Sequence, residues 1–247
     1  MSDRSFEGRV AVVTGASSGI GEAVARALAS RGARVAAIAR RASRLQQLSE
    51  SVPGVHGYPV DLLDETAVCA RFAEIEAQLG PVDILVNNAG LGHDATLLDG
   101  DSTQWREMFD VNVLALCVCT REAVRQMRTH DRAGHVIHIS SMAGHRVPQE
   151  SGVYSATKFA VRALTEGLRR ELRAIKSPIR VCSVSPGNVK TEFHAQYYQS
   201  EEAAAESYAR YTPLAPEDVA ASVLHALSAP PHVQIHDILL RSTEQPD

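Results

Sequence analysis

No apolar run in the 247-residue chain reaches the ~18 residues of a membrane span, and the opening MSDRSFEGRV has no apolar core of a signal peptide. A membrane protein is therefore not expected. Positive charge is not in excess either. A formal net charge of −4 leaves no basic footprint and argues against nucleic-acid binding. The four cysteines, Cys69, Cys117, Cys119 and Cys182, lack the paired spacing of a zinc site. They are expected to be reduced, mostly buried thiols of a cytoplasmic protein. Ten histidines are scattered without an HExxH, so solvent-facing or loop positions are expected for most, and no metal. No linker, repeat or low-complexity stretch divides the chain.

What the chain does contain is alternation. Short apolar runs rich in β-formers at 10–14, 34–39, 55–60, 82–87, 135–140, 179–185 and 235–240 are separated by amphipathic helical patterns. The helical stretches include 21–32, 44–50, 64–79, 103–129 and 152–176. Continuous apolar strands between helices imply a parallel sheet covered on both faces. The expectation is one α/β domain over 1–247, Rossmann-type and doubly wound, with seven parallel strands.

TGASSGIG (14–21) falls between the first strand and the first helix, where a phosphate loop belongs. Gly15, Gly19 and Gly21 allow a tight turn and bring backbone N–H groups towards a pyrophosphate at the helix N-terminus. The spacing is G-x3-G-x-G, and a tight strand-to-helix turn also favours glycine. Further along, VYSATKFA (153–160) sets Tyr154 and Lys158 four residues apart, on one helix face. A phenol with an ordinary pKa of ~10 is a poor acid or base at neutral pH. An isolated pair of this kind reads simply as a solvated contact; its setting among other motifs gives it a different meaning.

TGASSGIG, NNAG (87–90), the serines at 140–141, YSATK (154–158) and PG (186–187) together resemble the motif set of the short-chain dehydrogenase/reductases, in order and spacing over nearly the whole chain. The segments DVNVLALCVCTREA, SMAGHRV, YSATKFAVRALTEGLRRELR and HVQIHDILLRSTEQ look most like the dehydrogenase/reductase member 11 group, which includes farnesol-dehydrogenase-like and steroid-reducing enzymes. The resemblance implies that Tyr154 is the general acid/base. Lys158, aided by the charge of an oxidised nicotinamide, would favour tyrosinate and pull the phenol towards neutrality. It also implies that Ser141, thirteen residues before Tyr154, holds the substrate oxygen, with Ser140 the rival position. Asn112 matches a fourth catalytic residue that kinks its helix and supports a water relay to the lysine.

The cofactor implied is NADP(H). Ser17, Ser18, Gly19 and Ile20 belong to its phosphate loop, and Asp61 and Leu62 match adenine contacts. Asn88, Ala89 and Gly90 match the strand end beside the ribose, while Pro186, Gly187, Val189 and Thr191 match the segment over the nicotinamide. Arg40 and Arg41 follow the second strand, where a basic residue accommodates a 2′-phosphate. Arg40 is expected to carry the larger share, on the premise that the next helix has begun at Arg41.

Residues 188–213 correspond to the substrate lid of such enzymes. With aromatics only 5% of the chain, Phe193, Tyr197, Tyr198, Tyr208 and Tyr211 make this stretch conspicuous. They suit a wall for an apolar substrate, with Phe193 against it, or a surface helix packing its own rings. The reading is thus an NADP-dependent carbonyl reductase/secondary-alcohol dehydrogenase for a small apolar ketone or alcohol, forming a homotetramer or homodimer as such enzymes do. Two alternatives stand beside it. One is a 3-oxoacyl-carrier-protein reductase, disfavoured by a lid that carries Glu192, Glu201, Glu202 and Glu206 but no Lys or Arg between Lys190 and Arg210. The other is a non-catalytic NADP-sensing scaffold, which would not need Ser141, Tyr154 and Lys158.

Overall fold

A computed structural model describes residues 5–149 and 151–246. The first four residues, on which the reading of the N-terminus partly rests, lie outside it. Seven strands form one sheet: β1 (Val10–Thr14), β2 (Arg34–Ala39), β3 (Val55–Pro59), β4 (Ile84–Asn87), β5 (His135–Ile139), β6 (Arg180–Pro186) and β7 (Asp237–Leu240). Their order is β3-β2-β1-β4-β5-β6-β7, and every pairing is parallel. The order reverses between β1 and β4, which makes their C-terminal ends the switch point where such sheets bind ligands.

The two faces follow from strand periodicity. Ala11, Val13, Val35, Ala37, Ile84 and Val86 point one way, against α1 (Gly19–Ser30) and α9 (Pro216–Leu227). Val10, Val12, Ala36, Ile38 and Leu85 point the other way, against α3 (Glu65–Leu79) and α5 (Ala115–Thr129). Helices α2 (Ala42–Ser51) and α6 (Gly152–Ala174) complete the long connections.

Three departures from the sequence expectation concern helices. The stretch expected as one helix over 103–129 is α4 (Ser102–Phe109), a π-helical turn at Asp110–Leu114, and α5. Helix α9 was not expected at all, although Pro216 at its first turn, Glu217 and Asp218 beside it, and Val219 and Val223 one turn apart are its signals. The lid stretch holds two short helices, α7 (Phe193–Tyr198) and α8 (Glu201–Ala209).

Most histidines are exposed or in loops, as expected, but two are buried. His135 and His138 lie buried in β5, each 1% exposed. Burial holds His138 down to about 4, and burial together with the charges of Arg180 and Arg9 holds His135 down to about 3. The hydrogen-bond chain around His138 specifies its tautomer. Thr165 Oγ1 donates to the Val161 carbonyl, so it accepts from His138 Nδ1 at 2.9 Å. Asn87 Nδ2 donates to Thr120 Oγ1, whose own hydrogen points to His138 Nε2 at 3.2 Å. A second proton on Nε2 would face a donor.

This buried pair gives a pH prediction. Below pH ~6.5 an unfolded chain protonates both histidines while the folded chain keeps them neutral, so the unfolded state binds more protons. Stability is expected to fall as pH drops from 6.5 towards 5, by roughly 1.4 kcal/mol per pH unit for each histidine at full separation. His145 and His194, also held low chiefly by burial, act with the same sign. Urea midpoints between pH 7 and 5 read the slope, and a flat profile would contradict it.

Candidate active site

The glycine loop is fastened where β1 and β4 end. Thr14 Oγ1 accepts from the backbone N–H groups of Asn88 and Ala89, both at 3.0 Å. Asn88 Nδ2 in turn donates to the carbonyl oxygens of Thr14 and Gly15 at 3.0 and 3.3 Å. The Asn88 side chain therefore braces the loop from behind. Gly15 and Gly19 have φ of +65° and +56°, a backbone conformation that favours glycine. Ser18 is the N-cap of α1 but makes no capping bond; its hydroxyl accepts from Arg41 Nη2 at 2.6 Å. The first N–H groups of α1 are thus left without a side-chain acceptor.

Arg41 is the cation of this corner. Helix α2 begins at Ala42, with Arg41 outside it at φ −80° and ψ 86°, so the premise that set Arg41 aside does not hold. Its guanidinium reaches back to Ser17 Oγ at 3.0 Å and Ser18 Oγ, and forward to Glu192 Oε2 at 2.7 Å. Arg44 holds the other oxygen of Glu192. These two arginines, Arg41 first, bring the Glu192 carboxyl down to about 2. Arg40 is exposed and lines the same cleft, with no hydrogen bond or ion pair among the described residues.

Beyond β5 the chain turns through Ser141, whose Oγ accepts from the Ala143 N–H at 3.0 Å and whose hydroxyl, beside Tyr154, favours the ionised phenol. Ser140 is 3% exposed, and its hydroxyl donates to the Lys158 carbonyl at 3.3 Å. Of the two serines, Ser141 is the one that meets the tyrosine. Lys158 Nζ donates to the Ile139 carbonyl at 3.2 Å and lies 5.8 Å from the centre of the Tyr154 ring. Burial presses Lys158 down to about 8. Burial also pushes the Tyr154 phenol up, opposed by the neighbouring Ser141 hydroxyl. Within the protein alone, then, burial outweighs the groups that favour tyrosinate, and the phenol is not brought towards neutrality.

Asn112 sits in the π-helical turn, 1% exposed. Its Oδ1 accepts from the Leu91 N–H and its Nδ2 donates to the Leu91 carbonyl, both at 2.8 Å, and to Thr157 Oγ1 at 3.0 Å. The extra residue of a π-turn re-aims a side chain that a regular helix would direct elsewhere. Here it ties the loop after β4 to α6. A Cβ on Gly90 would lie 3.3 Å from Asn112 Oδ1 and 3.4 Å from Lys158 Nζ, so a glycine separates the two groups.

The lid covers the tyrosine. Phe193 and Tyr197 pack on the Tyr154 ring, with centroids 5.4 and 6.3 Å away. Tyr208 and Tyr211 serve the lid itself: Tyr208 donates to the Thr191 carbonyl and stacks on His194 at 4.5 Å, and Tyr211 pairs with Asn188. Phe193 and Tyr197 thus face Tyr154, while Tyr208 and Tyr211 pack within the segment itself. At its base, Gln245 Oε1 accepts from Asn188 N–H at 3.0 Å, and Glu244 accepts from Thr212 N–H at 2.9 Å.

These elements enclose a cleft of about 480 Å³. Gly15, Ser17, Ser18, Gly19, Ile20, Arg40, Arg41, Asp61, Leu62, Asn88, Ala89 and Gly90 line its loop side. Ser141, Tyr154, Lys158, Pro186, Gly187, Val189, Thr191 and Phe193 line the other. Gly21 and Asn112 stand behind the wall. Sequence reasoning missed Thr14, Glu192 as an arginine partner, Tyr197 as a cover for Tyr154, and Gln245. All four act through long-range contacts that no local motif marks. Among the described residues no group of three or more His, Cys, Asp or Glu could hold a metal, and no helix is long and apolar enough to cross a membrane.

Residues 9–202 match the short chain dehydrogenase family. The chain is 49% identical to dehydrogenase/reductase SDR family member 11 of Bos taurus, covering 96% of this chain and 97% of that one. It is 40% identical to farnesol dehydrogenase of Aedes aegypti, over 96% of each. Among solved structures, the closed form of a serine dehydrogenase complexed with NADP+ superposes with a TM-score of 0.92 at 31% identity, over 96% of each chain. With a family match over most of its length and relatives this similar from end to end, the chain belongs to the short-chain dehydrogenase/reductase family of oxidoreductases.

Proposed function

We propose that the protein is an NADP(H)-dependent carbonyl reductase/secondary-alcohol dehydrogenase for apolar, sizeable ketones or alcohols, of steroid or isoprenoid size. The observation that carries this reading is the convergence of Ser141, Tyr154 and Lys158 on one cleft with the glycine loop at the β1/β4 switch point. The residues present fit the cofactor. The positive-φ turns at Gly15 and Gly19 and the uncapped start of α1 suit a pyrophosphate, and Arg41 and Arg40 suit a 2′-phosphate. A solved relative is complexed with NADP+, which supports the same choice.

NADP(H), when bound, supplies or accepts the hydride. The chain's own residues handle the oxygen and its proton. In reduction, Ser141 and Tyr154 donate hydrogen bonds to the carbonyl oxygen, and the Tyr154 proton moves to that oxygen as the alcohol forms. A phenol pushed up by burial holds its proton for this step. Lys158, buried behind it, holds positive charge near the tyrosinate that remains and lowers the cost of forming it. Oxidation runs the same steps backwards. Asn112 fixes the backbone of Leu91 against α6 and so keeps the far wall in place. Phe193 and Tyr197 over Tyr154, with Leu91 and Met142 in the lining, make the substrate side apolar.

The test is NADPH and NADH consumption at 340 nm with ketones and aldehydes of increasing carbon number. Efficiency is expected to rise with chain length, by up to ~0.8 kcal/mol for each methylene buried; flat efficiency would remove the apolar-substrate assignment. NADPH is expected to be preferred, and Arg41→Ala to erode that preference by about ten- to a hundredfold, a charge-assisted contact being worth ~1.5–3 kcal/mol. Arg40→Ala is expected to do less, because its guanidinium is not held at the loop. If NADH is preferred by the wild type, the cofactor assignment is wrong.

A further inference from the structure

The corner expected to read the cofactor's 2′-phosphate already holds an anion from the protein itself. Glu192 reaches from the foot of the lid and spreads its two oxygens between Arg41 and Arg44. Arg41 has its remaining nitrogens on Ser17 and Ser18 of the glycine loop. The guanidinium thus joins the loop to the lid, and the carboxylate occupies the edge from which a phosphate could be gripped. Arg40, next in the chain, is left without a partner among the described residues.

Position gives this contact a consequence. Glu192 directly precedes α7, and the next residue, Phe193, packs on Tyr154 at 5.4 Å. One residue earlier, a Cβ placed on Gly19 would meet Thr191 Cγ2 at 3.0 Å, so this segment already lies against the loop. Anything that moves Glu192 off Arg41 acts on the start of the helix that covers the tyrosine.

Two anions compete poorly for one guanidinium. A phosphate monoester brings about −1.5 to −2 charges and several acceptor oxygens at neutral pH, against one charge on a carboxylate. Both Glu192 and Arg41 are substantially exposed, with side chains 43% and 40% accessible, so their pair is weak and exchangeable. A dianion arriving at Arg41 outcompetes Glu192 and repels it.

We infer that Glu192 is a latch that competes with the 2′-phosphate of the dinucleotide for Arg41 and Arg44, so that a 2′-phosphorylated cofactor releases the start of α7 and a non-phosphorylated one leaves it pinned. The inference rests on the NADP(H) reading above and extends it: cofactor choice and lid position become one equilibrium, and the coupling is reciprocal. Glu192 also lowers the affinity that the arginines would otherwise show for the phosphate. It is a specificity-determining residue rather than a catalytic one.

The experiment uses 2′,5′-ADP and 5′-AMP, which carry the relevant difference and no nicotinamide. Calorimetric titration of the wild type and Glu192→Gln is expected to show 2′,5′-ADP binding tightened roughly five- to tenfold by the substitution, with 5′-AMP unchanged and the gain shrinking in high salt. Amide hydrogen exchange over 193–198 is expected to rise in the wild type on adding 2′,5′-ADP but not 5′-AMP, and to start higher in Glu192→Gln. If neither protein prefers 2′,5′-ADP, the NADP(H) reading fails and the latch with it. If the wild type prefers 2′,5′-ADP but Glu192→Gln changes neither affinity, tightens both ligands equally, or weakens the phosphorylated one, the latch is overturned while the cofactor reading stands.

Discussion

Tyr154→Phe is expected to lower kcat for ketone reduction by about 10²–10⁴-fold, the range a positioned acid contributes, while leaving dinucleotide binding and folding nearly intact. The substitution removes one hydroxyl and keeps the ring. Its packing against Phe193 and Tyr197 therefore persists, and only the hydroxyl beside Ser141 is lost. Removing a single neutral hydroxyl is expected to change stability by no more than about 1 kcal/mol. Steady-state kinetics, a dinucleotide titration and a melting curve on the same preparation separate the possibilities. Retention of more than a tenth of wild-type kcat would show that another group delivers the proton. Ser141→Ala is the natural partner experiment, since it removes the second donor to the same oxygen.

Gly21→Ala is expected to be severe for a different reason. Alanine is ordinarily the better helix residue by about 0.8–1.0 kcal/mol, and Gly21 lies inside α1 with helical geometry. Yet a Cβ there would stand 2.4 Å from the Gly15 carbonyl oxygen, 2.8 Å from its carbon and 2.5 Å from Asn88 Nδ2. Two of the three are backbone atoms of the glycine loop, which has to move. The expected outcome is a loss of roughly 1–3 kcal/mol from overpacking, a melting temperature lowered by several degrees, and dinucleotide affinity reduced by at least tenfold because the displaced loop is the cradle. Gly167→Ala in α6 is the control: a Cβ there meets nothing within 4 Å, so the propensity gain stands alone and the protein is expected to become slightly more stable. If both substitutions stabilise, the close approach of loop and helix is not as described.

Legibility in the sequence followed the range of the interactions. The five inner strands were readable because burial on both faces gives continuous apolar runs, whereas β3 and β7 at the edges are only partly buried, and the loop was readable because glycine is demanded locally by the backbone of Gly15 and Gly19. Tyr154 and Lys158 were readable from helical spacing once the surrounding motifs were recognised. Helix α9 was passed over even though Pro216 and the acidic residues after it mark its start. The break around Asn112 was indicated only by the resemblance, which implied a kinked helix there; the partners that hold its side chain, Leu91 and Thr157, lie 21 and 45 residues away. The premise behind the share given to Arg40 missed by a single residue of helix boundary: α2 starts at Ala42, and Arg41 reaches the loop. Nor could the sequence weigh desolvation against charge at Tyr154, because that balance depends on what surrounds the hydroxyl.

The two ties at the base of the lid, Asn188 to Gln245 and Thr212 to Glu244, bear on how such a protein can change over evolution. Residues 188 and 212 are held near the sheet by neighbours in the tail, so the chain between them is a loop whose ends are already brought together. Lengthening a loop of that kind is inexpensive, about 0.6 kcal/mol for each doubling. Insertions, deletions and new side chains between the ties can therefore accumulate without disturbing the strands or the glycine loop. The tail has no such freedom: Gly187 lies against Gln245 so closely that a Cβ on it would overlap the amide oxygen. Substrate range can drift quickly in such an architecture, with the few residues that pin the loop among the slowest to vary.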